Sequence, residues 1–460
     1  MKVSEKMIRL GLIVMVALSF YFSYMIWLNP TGYDRSVEQA TDTVNTSIQT
    51  YKQKSDLFLP LYLTWIHQDE VKETNSETLI RDVQGLLSDA QVNDLTVQNY
   101  DSKSFSEAAT LDEGVTLAYY TPFLLNDYAE TFDVELALGD NEANKMAFSH
   151  IQIDLKENKI QFVNLEESRI IEGKIDWDKN DVNRILKDNP REWTAMRQEE
   201  SGKSNQFYTQ DTIKLKKYSY VSSLQSANLF REAFFTSPKD VKVNDDSVDT
   251  YYYEGGQNMA VLHDDQVVKF ETTVSESDET DLFMQSADYI RRLGNNFGTI
   301  RFFDRLSNQL DYRIFVEGYP VFSSGAQGLM KVTFSNSGQL GNREMAIESS
   351  LNAIQVPIPS ETEVELPSSL TVRSDLLSAG AETDQLQQII VGYQWGDIKG
   401  ASVVDLTPTW YVKYENNWFN YQELMAKLTE TGEFDWISSE SNGFFPSVFG
   451  VECLFVQHLQ

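Results

Sequence analysis

The side chains that could do chemistry are few and scattered. Four histidines stand at positions 67, 150, 263 and 458, and none lies within metal-ligand spacing of another. His263 sits in the turn His263-Asp264-Asp265 and reads as a solvated residue. Gly202-Lys203-Ser204 has the ending of a phosphate loop, but the loop's first glycine falls on Arg197, so the backbone cradle is missing. Asp245, Ser247 and Asp249 have the opening spacing of a calcium loop. Its sixth position is Thr250 and its twelfth is Gly256, where a turning glycine and a bidentate glutamate are required. No Gly-x-Ser-x-Gly elbow occurs, nor a Ser-x-x-Lys with its partner motifs. Acid pairs such as Asp69-Glu70 and Glu166-Glu167 carry no weight among 69 acidic residues. The single cysteine, Cys453, lies in an apolar strand-like run and reads as a core thiol. Gly392, Gly396 and Gly400, four apart in a polar region, read as turn glycines. These patterns assign no catalytic, cofactor-binding or metal-binding residue, and they point to an interaction protein that is not an enzyme.

Charge narrows the partners. The formal charge is −31; the first thirty residues carry three basic groups and one acid (+2), which leaves −33 on the rest. That surface repels nucleic acid and anionic lipid. Hydrophobic residues make up 41% of 460, enough for about three cores of ordinary size. One cysteine excludes an internal disulfide, which for an exported chain of this size suits a Gram-positive envelope.

The elements alternate between short helices and longer strands, and the expected fold class is α+β, with antiparallel sheets packed against a few helices. A polar stalk, Asp34 to Lys54, precedes a buried strand over Leu57–Ile66 that is interrupted at Pro60. A helix is predicted over Thr78–Ser88, with Leu79, Val83, Leu86 and Leu87 on one face. Strands are predicted over 115–125, and a hairpin over 145–165 around Lys156–Lys159. After a polar boundary near Arg197–Asn205, a helix starts near Ser222 and continues through Leu224, Leu229 and Phe230. A meander covers 251–270, followed by a helix from Asp281 that Gly294 caps, and by strands over 299–303, 312–322 and 329–334. Prolines at 357, 359 and 367 mark a linker, and an amphipathic stretch at Asp375–Gln388 leads into strands at 389–395, 403–406 and 409–414. The expected domains are 1–28 (cytoplasmic tip and anchor), 29–200, 201–352 and 353–460, each of the last three α+β.

The most specific stretch is Leu10 to Leu28, nineteen residues without a charge. As a helix they span ~28 Å, close to the ~30 Å hydrocarbon core. Lys2, Lys6 and Arg9 against a lone Glu5 keep the N-terminus cytoplasmic and put the rest of the chain outside. No small-x-small cleavage site follows, so the helix is expected to stay as a single-pass anchor in the cell membrane. Tyr21, Tyr24 and Trp27 are expected interfacial anchors. Met15, Ser19 and Ser23 share one face, with the serines four apart, and that face is expected to contact a partner helix.

Two groups of residues resemble a known family. One is Trp27-Leu28-Asn29-Pro30 with the strand near Leu59-Pro60 and its helix. The other runs from Leu229-Phe230 through Phe235–Val241 to Tyr253-Glu254-Gly255-Gly256 and Met259–Leu262. Together they resemble YycH, a membrane-anchored regulatory protein encoded beside the WalK (YycG) sensor kinase of Gram-positive bacteria. Tyr312–Phe322 and Gly392–Tyr414 are similar to the half of YycH that resembles its companion YycI. The resemblance implies one transmembrane helix, an extracytoplasmic region without enzymatic activity, and signal transduction through a YycI-like partner and the transmembrane segments of the kinase that controls the cell wall. Two further readings stay open: an envelope enzyme with an unrecognised site, and a cell-wall polymer-binding module using exposed aromatics such as Trp395, Trp410 and Trp418.

Overall fold

A computed structural model describes residues 15, 16, 18, 19, 51–136, 146–187, 193–198, 206–245, 248–275, 279–338 and 341–440. The chain divides into two units, Met1–Ile48 and Gln49–Gln460. In the first, Met15, Val16, Leu18 and Ser19 are helical and exposed. Tyr21, Ser23, Tyr24 and Trp27 lie outside the described residues, as does Cys453. Among the described residues no helix is long and apolar enough to cross a membrane.

The second unit is α+β. Its elements begin with α1 (Lys54–Leu57), β1 (Tyr62–His67), β2 (Glu70–Thr74), α2 (Glu77–Ser88), β3 (Gln91–Asn99), α3 (Ser102–Ala108) and β4 (Gly114–Leu124). They continue with α4 (Leu125–Phe132), β5 (Ala147–Asp154), β6 (Lys159–Asn164), β7 (Arg169–Asp176), α5 (Lys179–Lys187), β8 (Thr194–Gln198) and β9 (Phe207–Thr209). These nine strands form one sheet, ordered β3-β7-β6-β5-β4-β1-β2-β8-β9.

Next come β10 (Ile213–Lys216), β11 (Tyr218–Leu224), α6 (Ala227–Phe234), β12 (Lys242–Asp245), β13 (Asp249–Glu254), β14 (Gln257–Leu262) and β15 (Val267–Ser275). They are followed by α7 (Glu279–Arg291), β16 (Thr299–Leu306), β17 (Gln309–Val316), β18 (Tyr319–Phe322), β19 (Leu329–Asn336), β20 (Asn342–Ser350) and β21 (Asn352–Ile358). The last are β22 (Glu363–Leu366), α8 (Ser369–Ser378), β23 (Leu386–Asp397), β24 (Val403–Tyr414), β25 (Asn417–Asn420) and α9 (Tyr421–Glu440). One sheet of fourteen strands runs β12-β13-β14-β15-β20-β19-β17-β18-β23-β24-β11-β21, with β16 on β17 and β25 on β24. Its two halves meet at the short parallel pair β18–β23, while the other pairings are antiparallel. β10 and β22 pair separately.

The helices follow the expected periodicity where the apolar stripe is strong. In α2, Leu79, Val83 and Leu87 are buried against the alternate residues Leu63 and Trp65 of β1 and Val115 and Leu117 of β4. The hairpin β5–β6, the meander β13–β15 and α7 also form where the spacing predicts them.

The chain enters the core along Leu57–Leu61, all of it buried. A buried stretch outside regular pairing must satisfy its backbone carbonyls elsewhere. Tyr119 Oη donates to Phe58 O at 2.7 Å, and Arg301 Nη2 donates to Leu59 O at 2.9 Å and also to Pro60 O. Asn75 Nδ2 donates to Leu61 O at 3.2 Å. Around them Phe58 packs on Phe123 and Phe283 with centroids 5.1 and 5.0 Å apart. Side chains of the first sheet and of β16 therefore hold one strap between them.

Three expectations need correction. Ser222–Leu224 is strand, because it pairs with Asn352–Ile354 of β21; the helix starts only at Ala227, capped by the Ser226 hydroxyl. The stretch 375–388 is split between the end of α8 and the start of β23. Val356–Ile358, read as linker, is the end of β21.

Candidate functional site

Register builds the site. Direct pairing aligns Glu73 (β2), Thr64 (β1), Thr116 (β4), Gln152 (β5), Gln161 (β6) and Glu172 (β7) in one row across the first sheet. The next row holds Tyr62, Ala118, His150 and Val163. Side chains alternate along a strand, so this polar face lies opposite the apolar face that packs α2. Thr64, Thr116, Gln152 and Gln161 are nevertheless buried. Gln152 and Gln161 donate from Nε2 to the carbonyls of Ala109 and Ala108 at 3.0 and 3.4 Å.

The Glu73 end of the row opens into a cavity of about 160 Å³. Tyr62, Thr64, Glu73, Tyr120 and His150 line one side. Tyr319, Gln388 and Trp410 line the other, brought in by β18, β23 and β24. A larger cleft of about 920 Å³ adjoins it and shares Asn75, Thr194, Ile213 and Tyr319 as a common wall.

The cavity holds one acid and one histidine in opposite states. Burial pushes the Glu73 carboxyl up to about 7, against a hydrogen bond from Thr64 that lowers it. Burial alone pushes His150 down to about 4, so its ring is neutral at physiological pH. Both ring nitrogens of His150 are engaged, Nε2 with Tyr62 Oη at 3.1 Å and Nδ1 with Ser149 Oγ at 2.9 Å. Tyr62 stacks on Tyr120 with centroids 5.6 Å apart. Burial and then the charge of Glu73 raise the phenols of Tyr62, Tyr120 and Tyr319, the last to about 12. One carboxylate thus stands within electrostatic reach of three tyrosines.

A histidine held near 4 is a poor base at neutral pH, and its nitrogens are tied into a structural chain. Glu73 has the range of a general base, but its polar partner is the buried Thr64, not a nucleophile with a base and an orienting group behind it. Among the described residues no group of three or more His, Cys, Asp or Glu could hold a metal ion. The arrangement suits recognition.

The family model for the C-terminal domain of YycH proteins matches residues 203–427. Residues 203–427 belong to the YycH family. The crystal structure of YycH from Bacillus subtilis is similar in fold, with a TM-score of 0.62 at 18% sequence identity, over 81% of this chain and 98% of that one. The search of curated proteins returned no match. The YycH C-terminal domain supplies Tyr319, Gln388 and Trp410 to the cavity, while Tyr62, Glu73 and His150 precede it.

The residues expected to carry function are not among the described lining of this cavity. Met15, which is 73% exposed, and Ser19 belong to the N-terminal unit; Ser23, Tyr21, Tyr24 and Trp27 are outside the described residues. Trp395 and Trp410 are buried, and Trp418 donates Nε1 to Asp304 at 2.7 Å, so the three tryptophans form no exposed aromatic row. Gly392 is no turn glycine. It lies inside β23, and a Cβ there would come within 2.7 Å of the Phe322 ring and 2.8 Å of the Tyr411 ring. His67 stacks on Trp65 and lies 3.3 Å from Glu113, and His263 Nε2 is 2.9 Å from the Thr250 hydroxyl.

Glu73, Tyr62 and His150 were missed as a group. A signal was present: His150 and Gln152 put uncharged polar side chains at i and i+2 of a strand whose other face carries Ile151 and Ile153. Glu73 follows from pairing with Thr64, which no local pattern specifies.

Proposed function

We propose that this chain is a non-enzymatic, membrane-anchored regulator that modulates a WalK (YycG)-type sensor histidine kinase together with a YycI-like partner. The observation that carries the reading is the match of residues 203–427 to the YycH C-terminal domain. The fold shared with a YycH crystal structure agrees with it.

The finer mechanism rests on the N-terminal run. As a single-pass helix with its N-terminus in the cytoplasm, residues 10–28 set Tyr21, Tyr24 and Trp27 at the outer headgroup layer. Met15, Ser19 and Ser23 then present a narrow face to a helix of the kinase or of the partner. Helices associate in lipid through close packing and hydrogen bonds, since apolar burial gains nothing there, and small residues four apart allow that approach.

The test is reconstitution of the kinase in vesicles with and without the full chain and the YycI-like partner, reading autophosphorylation. A reproducible change in either direction supports the regulator, and identical rates with and without the chain contradict it.

A further inference from the structure

Glu73 keeps accessible surface, being only half-buried, and yet burial raises its carboxyl to about 7. A group with both properties faces a recess rather than open bulk water, and Glu73 lines such a cavity. Among the described residues its polar partner is Thr64, and no lysine or arginine offsets its charge. Among the described residues, the lining of the cavity it faces includes no lysine or arginine, and its one histidine is neutral. A carboxylate with three tyrosines about it, and no cation among the described residues around it, lacks its complement.

We propose that this cavity binds a small organic cation, an ammonium compound of roughly six to eight heavy atoms, with Glu73 as counter-charge and Tyr62, Tyr120 and Tyr319 as the aromatic surround. Size sets the bulk: a cavity of about 160 Å³ is close to the ~150 Å³ that accommodates benzene. Charge sets the sign, because an anion would meet the carboxylate with no cation to offset it. A hard metal ion needs about six oxygen ligands, and a single carboxylate among phenols and amides does not supply that shell. A neutral apolar guest would leave the carboxylate unpaired in a poorly solvated site. An ammonium group satisfies the carboxylate and gains from aromatic rings at once. The wall shared with the adjoining cleft, through Asn75, Thr194, Ile213 and Tyr319, gives the route of entry.

The test titrates choline into the full chain by calorimetry at pH 8, with 3,3-dimethylbutan-1-ol as the uncharged isostere. Choline is expected to bind one to one, and the isostere at least about tenfold more weakly. Glu73→Gln is expected to weaken choline by at least about tenfold and to leave the isostere unchanged. Lowering the pH to 6 should weaken choline about tenfold in the native chain as Glu73 gains its proton. His150 stays neutral and the three phenols stay protonated over that range. Thr194→Phe, which fills the cavity from the shared wall, should abolish binding. Absence of choline binding, equal affinity for the isostere, or undiminished binding by Thr194→Phe would overturn the proposal. If Glu73→Gln does not fold, the isostere and Thr194→Phe comparisons still decide it.

Discussion

Lys413 Nζ lies 2.8 Å from Asp304 Oδ1, and both side chains are only 7% exposed. The second oxygen, Asp304 Oδ2, accepts from Trp418 Nε1 at 2.7 Å. The pair ties β16 to the β24–β25 hairpin across 109 residues of chain. It does so where, among the described residues, strand pairing joins the halves of the large sheet through Val321↔Tyr393 and Phe322↔Gln394. Around it, Phe322 stacks on Tyr411 at 3.7 Å, and Arg313 stands 4.1 Å over Phe322. Few backbone bonds cross this junction, so side chains carry it.

Lys413→Met leaves Asp304 charged, buried and short of its cation. Breaking a buried pair on one side costs about 3–5 kcal/mol, whereas replacing both partners by apolar residues costs much less. The single variant should therefore unfold at lower urea than the double variant Asp304→Leu/Lys413→Met. Equal midpoints would mean the pair contributes nothing at this junction.

Arg301→Met should act more locally. Arg301 is fully buried, and burial pushes its guanidinium down to about 10. The variant removes that desolvation cost along with the hydrogen bonds to Leu59 and Pro60, so its net effect, about 1–3 kcal/mol, is smaller than that of Lys413→Met. Amide hydrogen exchange should rise first in residues 57–61. Unchanged protection there would show that aromatic packing alone holds the strap.

Glu73 and His150 give pH effects of opposite sign. Glu73 titrates near 7 folded against an ordinary 4.5, so the folded state holds the extra proton between those values and stability falls as pH rises. His150 titrates near 4 folded against 6.5, so the unfolded state holds the extra proton and stability rises with pH over that span. Each interval is 2.5 (7 − 4.5 and 6.5 − 4), or up to about 3 kcal/mol, and they cancel over most of pH 4.5–6.5. Relative to the native chain, Glu73→Gln should gain stability as pH rises from 4.5 to 7, and His150→Gln should lose it from 4 to 6.5. Thermal melts across pH check this, and parallel curves for all three proteins would refute both assignments.

Legibility from residues alone followed how local the cause was. Leu79, Val83 and Leu87 repeat at helical spacing, and α2 forms with those residues buried. Gly255-Gly256 and His263–Asp265 punctuate alternating residues, and the meander forms. Ser222–Leu224 failed because their β21 partners lie more than a hundred residues away. The strands expected at 403–406 and 409–414 are one strand, β24, which runs through Pro408. There β23 pairs along one side, while on the other β11 reaches only to Leu406 and β25 starts at Tyr411, so proline falls where no second partner needs its missing donor. The cavity residues are contributed by strands far apart in sequence, and only tertiary pairing brings Glu73 to Tyr62, Tyr120 and Tyr319.

Gly318 and Gly256 separate close approach from backbone strain. Both have positive φ, +80° and +88°. A Cβ on Gly318 would fall 1.9 Å from Asn75 O, whereas nothing lies within 4 Å of one on Gly256. Gly256→Ala should cost about 1 kcal/mol from conformation alone, and Gly318→Ala clearly more, because Asn75 must move off Leu61 O. Similar melting temperatures for the two variants would rule out the close approach at Gly318.

The regulator reading is tested most directly by site-specific photo-cross-linking in native membranes from positions 15, 19 and 23 of the full chain, followed by identification of the captured proteins. The account predicts adducts with the sensor kinase or the YycI-like protein, reduced when Ser19 and Ser23 are both replaced by leucine. Adducts with lipid alone from all three positions would contradict it.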